Sequence, residues 1–228
     1  MLDLGSTPPQ IGNASRVQKG YPIGGLWARP ITGYEDKNKD GMLTYFADPT
    51  RNEVFVGDSA IFRGYSTPRY QATLTNGWEM LGRQLRLQTL LDYRGGNKWF
   101  NDTERLRCQR PNCQGRNFPG APLELQAANI ARLEHPANTL DGYFMKGAFI
   151  RLREVSLQYT LSPALAGRVL KCRSASVSLA GRNLALFTNY LGTDPETAFN
   201  ATARTDVPAD FQTLAPPSFF VFRVNVGY

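Results

Sequence analysis

The sequence is poor in the groups that do chemistry. Its 228 residues contain one histidine, His135, and three cysteines, Cys108, Cys113 and Cys172. No serine sits in a nucleophile elbow, so no triad can be drawn. No phosphate-cradling loop is present, and Gly24, Gly25 and Gly41 make no dinucleotide fingerprint. Asp206 and Asp210 share a polar stretch, which is a weak glycosidase signal. The chain therefore reads as a non-enzyme. It also lacks any run of about 18 consecutive apolar residues, which excludes a membrane-spanning helix. That test says nothing about a membrane β-barrel, whose strands alternate and never look hydrophobic as a whole.

Charged residues are only 20% of the chain and aromatics 11%, which argues against wholesale disorder. Lysine and arginine number 26 against 19 acidic residues, a net charge of +7. The basic residues are scattered, the nearest approach to a run being Arg151, Arg153, Arg168, Lys171 and Arg173. Nucleic-acid binders cluster theirs, so no nucleic acid is expected as a partner. Cys108 and Cys113 bracket Gln109-Arg110-Pro111-Asn112. A short-loop disulfide in an oxidising compartment and two unlinked thiols both remain open. Zinc needs more ligands than this pair offers. Met1 to Ser6 has neither the basic region nor the apolar core of a signal peptide. Residues 1–14 read as a disordered or truncated lead-in, and 15–228 as the folded part.

What is abundant is period-two alternation. Tyr70, Ala72, Leu74, Asn76, Trp78 and Met80 form one set, with Gln71, Thr73, Thr75 and Glu79 in the other. A strand between two different environments has this pattern. After Leu81-Gly82-Arg83 the alternation resumes with Leu85, Leu87, Thr89, Leu91 and Tyr93, predicting a β-hairpin. Phe149–Tyr159 is a third strand whose phase slips, so a bulge is expected near Arg153-Glu154. Ser174–Asn183 and a final stretch through Phe220, Phe222, Val224 and Val226 complete the set. A short helical turn is expected at Ala164–Leu170, after Pro163.

The connections are of two kinds. Leu81–Arg83 and Ser162–Cys172 are short, whereas Ala28–Pro68, Gly95–Gly142 and Thr188–Pro217 are long and polar. Long and short alternate, which places the long ones at one end of the strands. Short turns on one side and long external loops on the other mark an outer-membrane barrel. Several runs also reach the ~9–11 residues that cross a bilayer. The fold class read from this is all-β: an antiparallel transmembrane β-barrel segment, a partial barrel with long external loops. A soluble β-sandwich alternates as well. That alternative would be a carbohydrate-binding module, with calcium as an assistant.

Several stretches resemble one family. Gly20-Tyr21-Pro22-Ile23-Gly24-Gly25-Leu26-Trp27, Asp36-Lys37-Asn38-Lys39-Asp40-Gly41, Gly57-Asp58-Ser59 with Tyr65-Ser66-Thr67-Pro68-Arg69-Tyr70, Gly147 to Leu157, and Ala180-Gly181-Arg182-Asn183-Leu184 with Tyr190-x-Gly192-x-Asp194-Pro195-Glu196 occur in order. Together they resemble the late part of SusC/RagA-type TonB-linked outer-membrane transporters, over residues 15 to 228. The resemblance implies the carboxy-terminal part of a nutrient-uptake barrel importing glycans or peptides, in the bacterial outer membrane. Implied partners are the remainder of the barrel and its plug, a SusD-like surface lipoprotein, and TonB acting through the missing amino-terminal part. Val226 and the terminal Tyr228 resemble an outer-membrane assembly signal. Arg223 stands where that signal more often has a small residue.

Three further sets are candidate sites. Asp36, Asn38 and Asp40, followed by Gly41, copy the first half of a calcium loop, with Thr44 at the ninth position. The twelfth position is Ala47, so the bidentate acid of an EF-hand is missing, and an ion-free Asx turn fits the same residues. No cofactor is required, and calcium is the one ion the pattern suggests. Trp99, Phe100, Phe118 and Tyr143 sit in the long loop as candidate substrate or partner contacts, with loop packing as the rival role. Arg69, Arg86, Arg151 and Arg182 fall on polar faces, where lumen salt bridges are their expected work.

Overall fold

The computed structural model describes residues 10–11, 14–110, 112–113, 115–116, 119–197 and 209–228. Its strands in chain order are β1 (Gln10–Ile11), β2 (Arg16–Val17), β3 (Leu26–Ala28), β4 (Ile31–Tyr34), β5 (Val54–Val56), β6 (Ile61–Gly64), β7 (Tyr70–Met80), β8 (Leu85–Gly95), β9 (Lys98–Asn101), β10 (Phe144–Lys146), β11 (Phe149–Thr160), β12 (Ser174–Thr188), β13 (Ala209–Asp210) and β14 (Phe219–Gly227). The helices are α1 (Asp102–Gln109), α2 (Leu123–Leu133) and α3 (Pro163–Leu170). The chain forms two compact units. A sheet unit comprises Tyr70–Gly95, Phe149–Thr188 and Pro216–Tyr228, and a loop unit comprises Met1–Arg69, Gly96–Ala148 and Asn189–Ala215.

The sheet unit is a five-stranded antiparallel sheet in the order β14-β12-β11-β8-β7. Its register aligns the alternating side chains into rows. Trp78 lies opposite Leu87, Leu87 opposite Leu157, Leu157 opposite Leu179, and Leu179 opposite Phe222. Residues directly opposite in a ladder share a face, so this face is apolar across all the strands. It is also uncovered, with Trp78 48% and Phe222 67% exposed. The neighbouring row on the other face reads Glu79, Arg86, Gln158, Ser178 and Arg223. Ion pairs knit that polar face: Arg153 Nη2 to Asp92 Oδ2 at 2.6 Å, Arg94 Nε to the same oxygen at 3.3 Å, and Arg182 Nε to Glu154 Oε2 at 2.9 Å.

The expected phase slip in β11 is present. Register shifts between Leu152 and Glu154 against both neighbours, leaving Arg153 as the extra residue beside β8. On β12 the matching irregularity takes Asn183 to a φ of 53°, a left-handed conformation that asparagine tolerates. The sheet is open, with β7 and β14 as its edges, and no closed barrel forms among the described residues.

Tyr70 pairs with Gly95, and Phe149 pairs with both Arg94 and Thr188, so these ends coincide at one end of the sheet. The chain leaves for, or returns from, the loop unit at these points. The opposite end carries the 81–84 turn and α3. Ser162 Oγ accepts from Leu165 N at the start of α3, and Pro163 occupies its first turn, where it lacks no useful N–H.

The loop unit is built from short pieces. β3 pairs with β6 and β4 with β5, both antiparallel, while β9 is flanked by antiparallel β10 and parallel β13. The stretch Gly95–Gly142, expected to be a polar loop, instead holds two helices. Asn101 caps α1 by accepting from Glu104 N at 2.9 Å. α2 buries Ala127, Ile130 and Ala131 against Leu43 and Val54. A second cluster gathers Leu26, Ala28, Phe100, Ala128, Tyr143 and Phe144.

Candidate functional site

The loop-borne aromatics do not stand out to meet a ligand. Phe100 is 1% exposed and Tyr143 2%, and Trp99 is buried as well. That placement fits the rival role, loop packing, for these three residues. β9 is buried on both faces, Trp99, Phe100 and Asn101 alike, and Phe100 meets Phe144 edge-on with ring centroids 5.6 Å apart. Aromatic surface of this size is worth more inside a core than against water. Burial, with Glu104 nearby, raises the Tyr143 phenol well above its ordinary pKa of 10. Phe118 lies outside the described residues.

A partly exposed aromatic group was not anticipated. Tyr21 contacts Trp27 at 4.7 Å and Phe62 at 5.3 Å, and Phe62 contacts Tyr65 at 5.4 Å. Arg16 lies over the Trp27 ring and Arg69 over Tyr65. Gly25 sits beneath it, where a Cβ would come within 2.8 Å of the Phe62 ring. The glycine-aromatic composition of residues 20–27 was the available signal.

The Asp36–Gly41 segment is a tight turn closed by its own side chains. Asp36 Oδ2 accepts from Gly41 N at 2.8 Å, Asn38 Oδ1 from Asp40 N at 3.1 Å, and Asp40 Oδ1 from Met42 N at 2.8 Å. Buried Glu53 fastens both sides of the turn, accepting from Lys37 N at 3.0 Å and from Thr44 N at 2.7 Å. Asp36 Oδ1 is buried without a hydrogen-bond partner.

Cys108 and Cys113 are joined in a disulfide. Glu104, Cys108 and Cys113 are the one grouping of candidate ligand atoms close enough for a metal among the described residues. Both sulfurs there are already bonded to each other. Cys172 is a buried free thiol. His135 closes a turn: its Nδ1 accepts from Ala137 N at 3.0 Å. Burial and Arg29 lower its pKa, which keeps it neutral at physiological pH.

Two buried carboxylates hold the loop unit together. Asp141 takes both Arg63 Nε and Nη2, the latter at 2.9 Å, and also Ile31 N at 3.0 Å. Asp210 accepts from Tyr190 Oη at 3.0 Å, Thr103 Oγ1 at 3.0 Å, Thr213 Oγ1 at 3.3 Å and Thr193 N at 3.3 Å. It thereby ties three distant segments. Burial and the adjoining Asp210 push the Tyr190 phenol far above its ordinary value. Asp206, its suggested companion, lies outside the described residues.

On the sheet unit, Arg182 pairs with Glu154 and Arg151 lies over the Phe149 ring, so both serve the wall's own packing. Arg86 takes its place in the polar row. Val226 sits in the apolar face of β14, and Tyr228 follows it, strongly exposed.

This two-faced sheet, with long connections at one end, has solved counterparts. Its fold is similar to that of a chain in the RagAB peptide importer. The match to the open-open state of that importer covers all of this chain and 25% of the other, at 18% identity and a TM-score of 0.61. The closed-closed state gives 96% and 24%, at 18% identity and 0.59, and a further RagAB peptide transporter structure 93% and 23%, at 20% and 0.57. The chain thus spans about a quarter of the length of the chains it matches. No family model and no curated protein matches it.

Proposed function

We propose that this chain is a wall-and-loop segment of a SusC/RagA-like, TonB-dependent importer in the bacterial outer membrane, taking up peptides or glycans. The carrying observation is the sheet itself: an uncovered apolar face backed by a polar, ion-paired one. Apolar-out and polar-in is the arrangement that lipid on one side and a wet lumen on the other demand. A soluble sandwich would cover the apolar face with a second sheet. Similarity in fold to a peptide importer favours transport over binding alone.

In this reading the sheet is barrel wall and the loop unit is the outer mouth. The open edges β7 and β14 pair with strands of the remaining barrel, since unpaired backbone is not tolerated in lipid. A SusD-like lipoprotein is the partner at the mouth, and the plug and the TonB-contacting segment lie in the rest of the transporter. Val226 and Tyr228 act as the assembly signal. Calcium at Asp36, Asn38, Asp40 and Thr44 would stiffen an external loop, and Asp36 Oδ1 is the free acceptor it would engage.

The test is fractionation of native cells, probed with an antibody to residues 95–142. Signal in the outer membrane, at a mass far above the chain's own, is the expected result. A soluble band at the mass of the isolated chain would overturn it. For calcium, the loop's melting temperature should fall on adding EDTA and return with calcium alone.

A further inference from the structure

The sheet's apolar face does not stop where its strands stop. Ala175 belongs to that face, one row beyond Val177, and it is buried because α3 packs on it through Ala166, with Cys172 and Leu161 completing the cluster. α3 therefore lies on the apolar side of the sheet, at the short-turn end. Its own apolar residues are largely unused. Val169 is 63% exposed, and Leu165 and Leu170 are exposed too. At about 100° per residue, Leu165 and Val169 flank Ala166 on one side and Leu170 on the other. Arg168 lies about 160° round the helix from Ala166, and exposed Lys171, the left-handed C-cap, and Arg173 follow at its carboxy-terminal end.

We propose that α3 is a membrane-surface helix. Leu165, Val169 and Leu170 enter the hydrocarbon border of the leaflet at the short-turn end, and Arg168, Lys171 and Arg173 meet its phospholipid phosphates. The proposal rests on the outer-membrane reading. Two features select lipid over a protein partner: continuity of the apolar residues with the sheet's apolar face, and three exposed basic residues gathered at the carboxy-terminal end of the same short helix. Stems of arginine and lysine also reach from such a position to the headgroup level.

The full-length transporter carrying this chain, in nanodiscs of phosphatidylglycerol with brominated acyl chains, provides the test. Trp78 lies on the apolar face, so parent minus Trp78→Phe fluorescence reports whether the sheet faces lipid. In the Trp78→Phe background, Val169→Trp should add a blue-shifted emission that the bromines quench. Arg168→Gln/Lys171→Gln/Arg173→Gln should cut that quenching about twofold in the anionic lipid, and not in phosphatidylcholine. Leu165→Trp replaces Val169→Trp if the latter loses the parent's heat-modifiable gel mobility. Unquenched emission at position 169 with Trp78 quenched would overturn the proposal while sparing the membrane reading, and would assign α3 to a protein contact. Absence of quenching at Trp78 would remove both. Quenching indifferent to the basic residues would overturn the phosphate contact.

Discussion

In the loop unit the large aromatic side chains of the core point inward, and in the sheet unit the large apolar side chains form an outward face. Phe100, Tyr143 and Val54 are buried, whereas Trp78, Leu179 and Phe222 are not. Both regions obey the same rule, that apolar surface leaves water. In the proposed reading they differ in which solvent the surface is built for. The loop unit makes its own dry interior from small pieces and buried carboxylates. The sheet unit makes none beyond the small cluster under α3, which in the proposed reading leaves its apolar face to hydrocarbon. Side-chain direction is thus a sharper marker of environment than overall composition.

Mutations that exchange the two behaviours should break the comparison. The largest effect is expected from Phe100→Ala, which empties the loop core and should cost about 3–5 kcal/mol. Limited proteolysis of the loop unit reads this, and Phe222→Ala should leave that cleavage pattern unchanged. Phe222→Arg should cost about 2–4 kcal/mol in a bilayer, less near its surface, read as a shifted midpoint of urea unfolding from vesicles. Gly192→Ala places a Cβ 2.3 Å from the Tyr190 ring and 2.4 Å from Asp210 Oδ2. That crowding should cost about 1–3 kcal/mol, seen in thermal melting of the loop unit.

Alkali should separate the regions further. Tyr143 and Tyr190 have folded pKa values raised above the unfolded value of 10. Above that pH the unfolded chain releases phenolic protons that the folded loop unit retains, so its stability falls as pH rises. Amide exchange of the loop unit should accelerate above pH 10, and Tyr190→Phe should blunt the pH dependence. The smallest effect belongs to the hairpin. Arg83 holds a φ of 72°, and Arg83→Gly should stabilise by about 0.5 kcal/mol, visible as a slight rise in unfolding midpoint.

The sheet was legible in the sequence because its two faces differ residue by residue. Even the slip at Arg153 left a trace, in the change of parity between Leu152 and Val155. The loop unit was not legible for the opposite reason. α2 buries mostly small or polar residues, among them Gln126, Ala127 and Asn129, and starts at Pro122 with no side-chain cap. Such a helix shows little apolar periodicity. α1 did carry a sign, Asn101 three residues before Glu104, but an eight-residue helix is a weak signal amid polar neighbours. The carboxylate hubs were invisible. Thr103 and Asp210 are 107 residues apart, and Ile31 and Asp141 110. Nothing local announces such partners.

Those separations bear on the order of events when the chain is made. The Asp210 hub needs Thr103, residues 190–193 and residues 210–213 together, and Asp210 emerges 107 residues after Thr103. Contacts of such span close slowly, after the local ones. The hub therefore closes late: its three arms meet only once the chain between them has folded. Proteases that attack open loops would then cut copies whose hub has not closed and spare those in which it has.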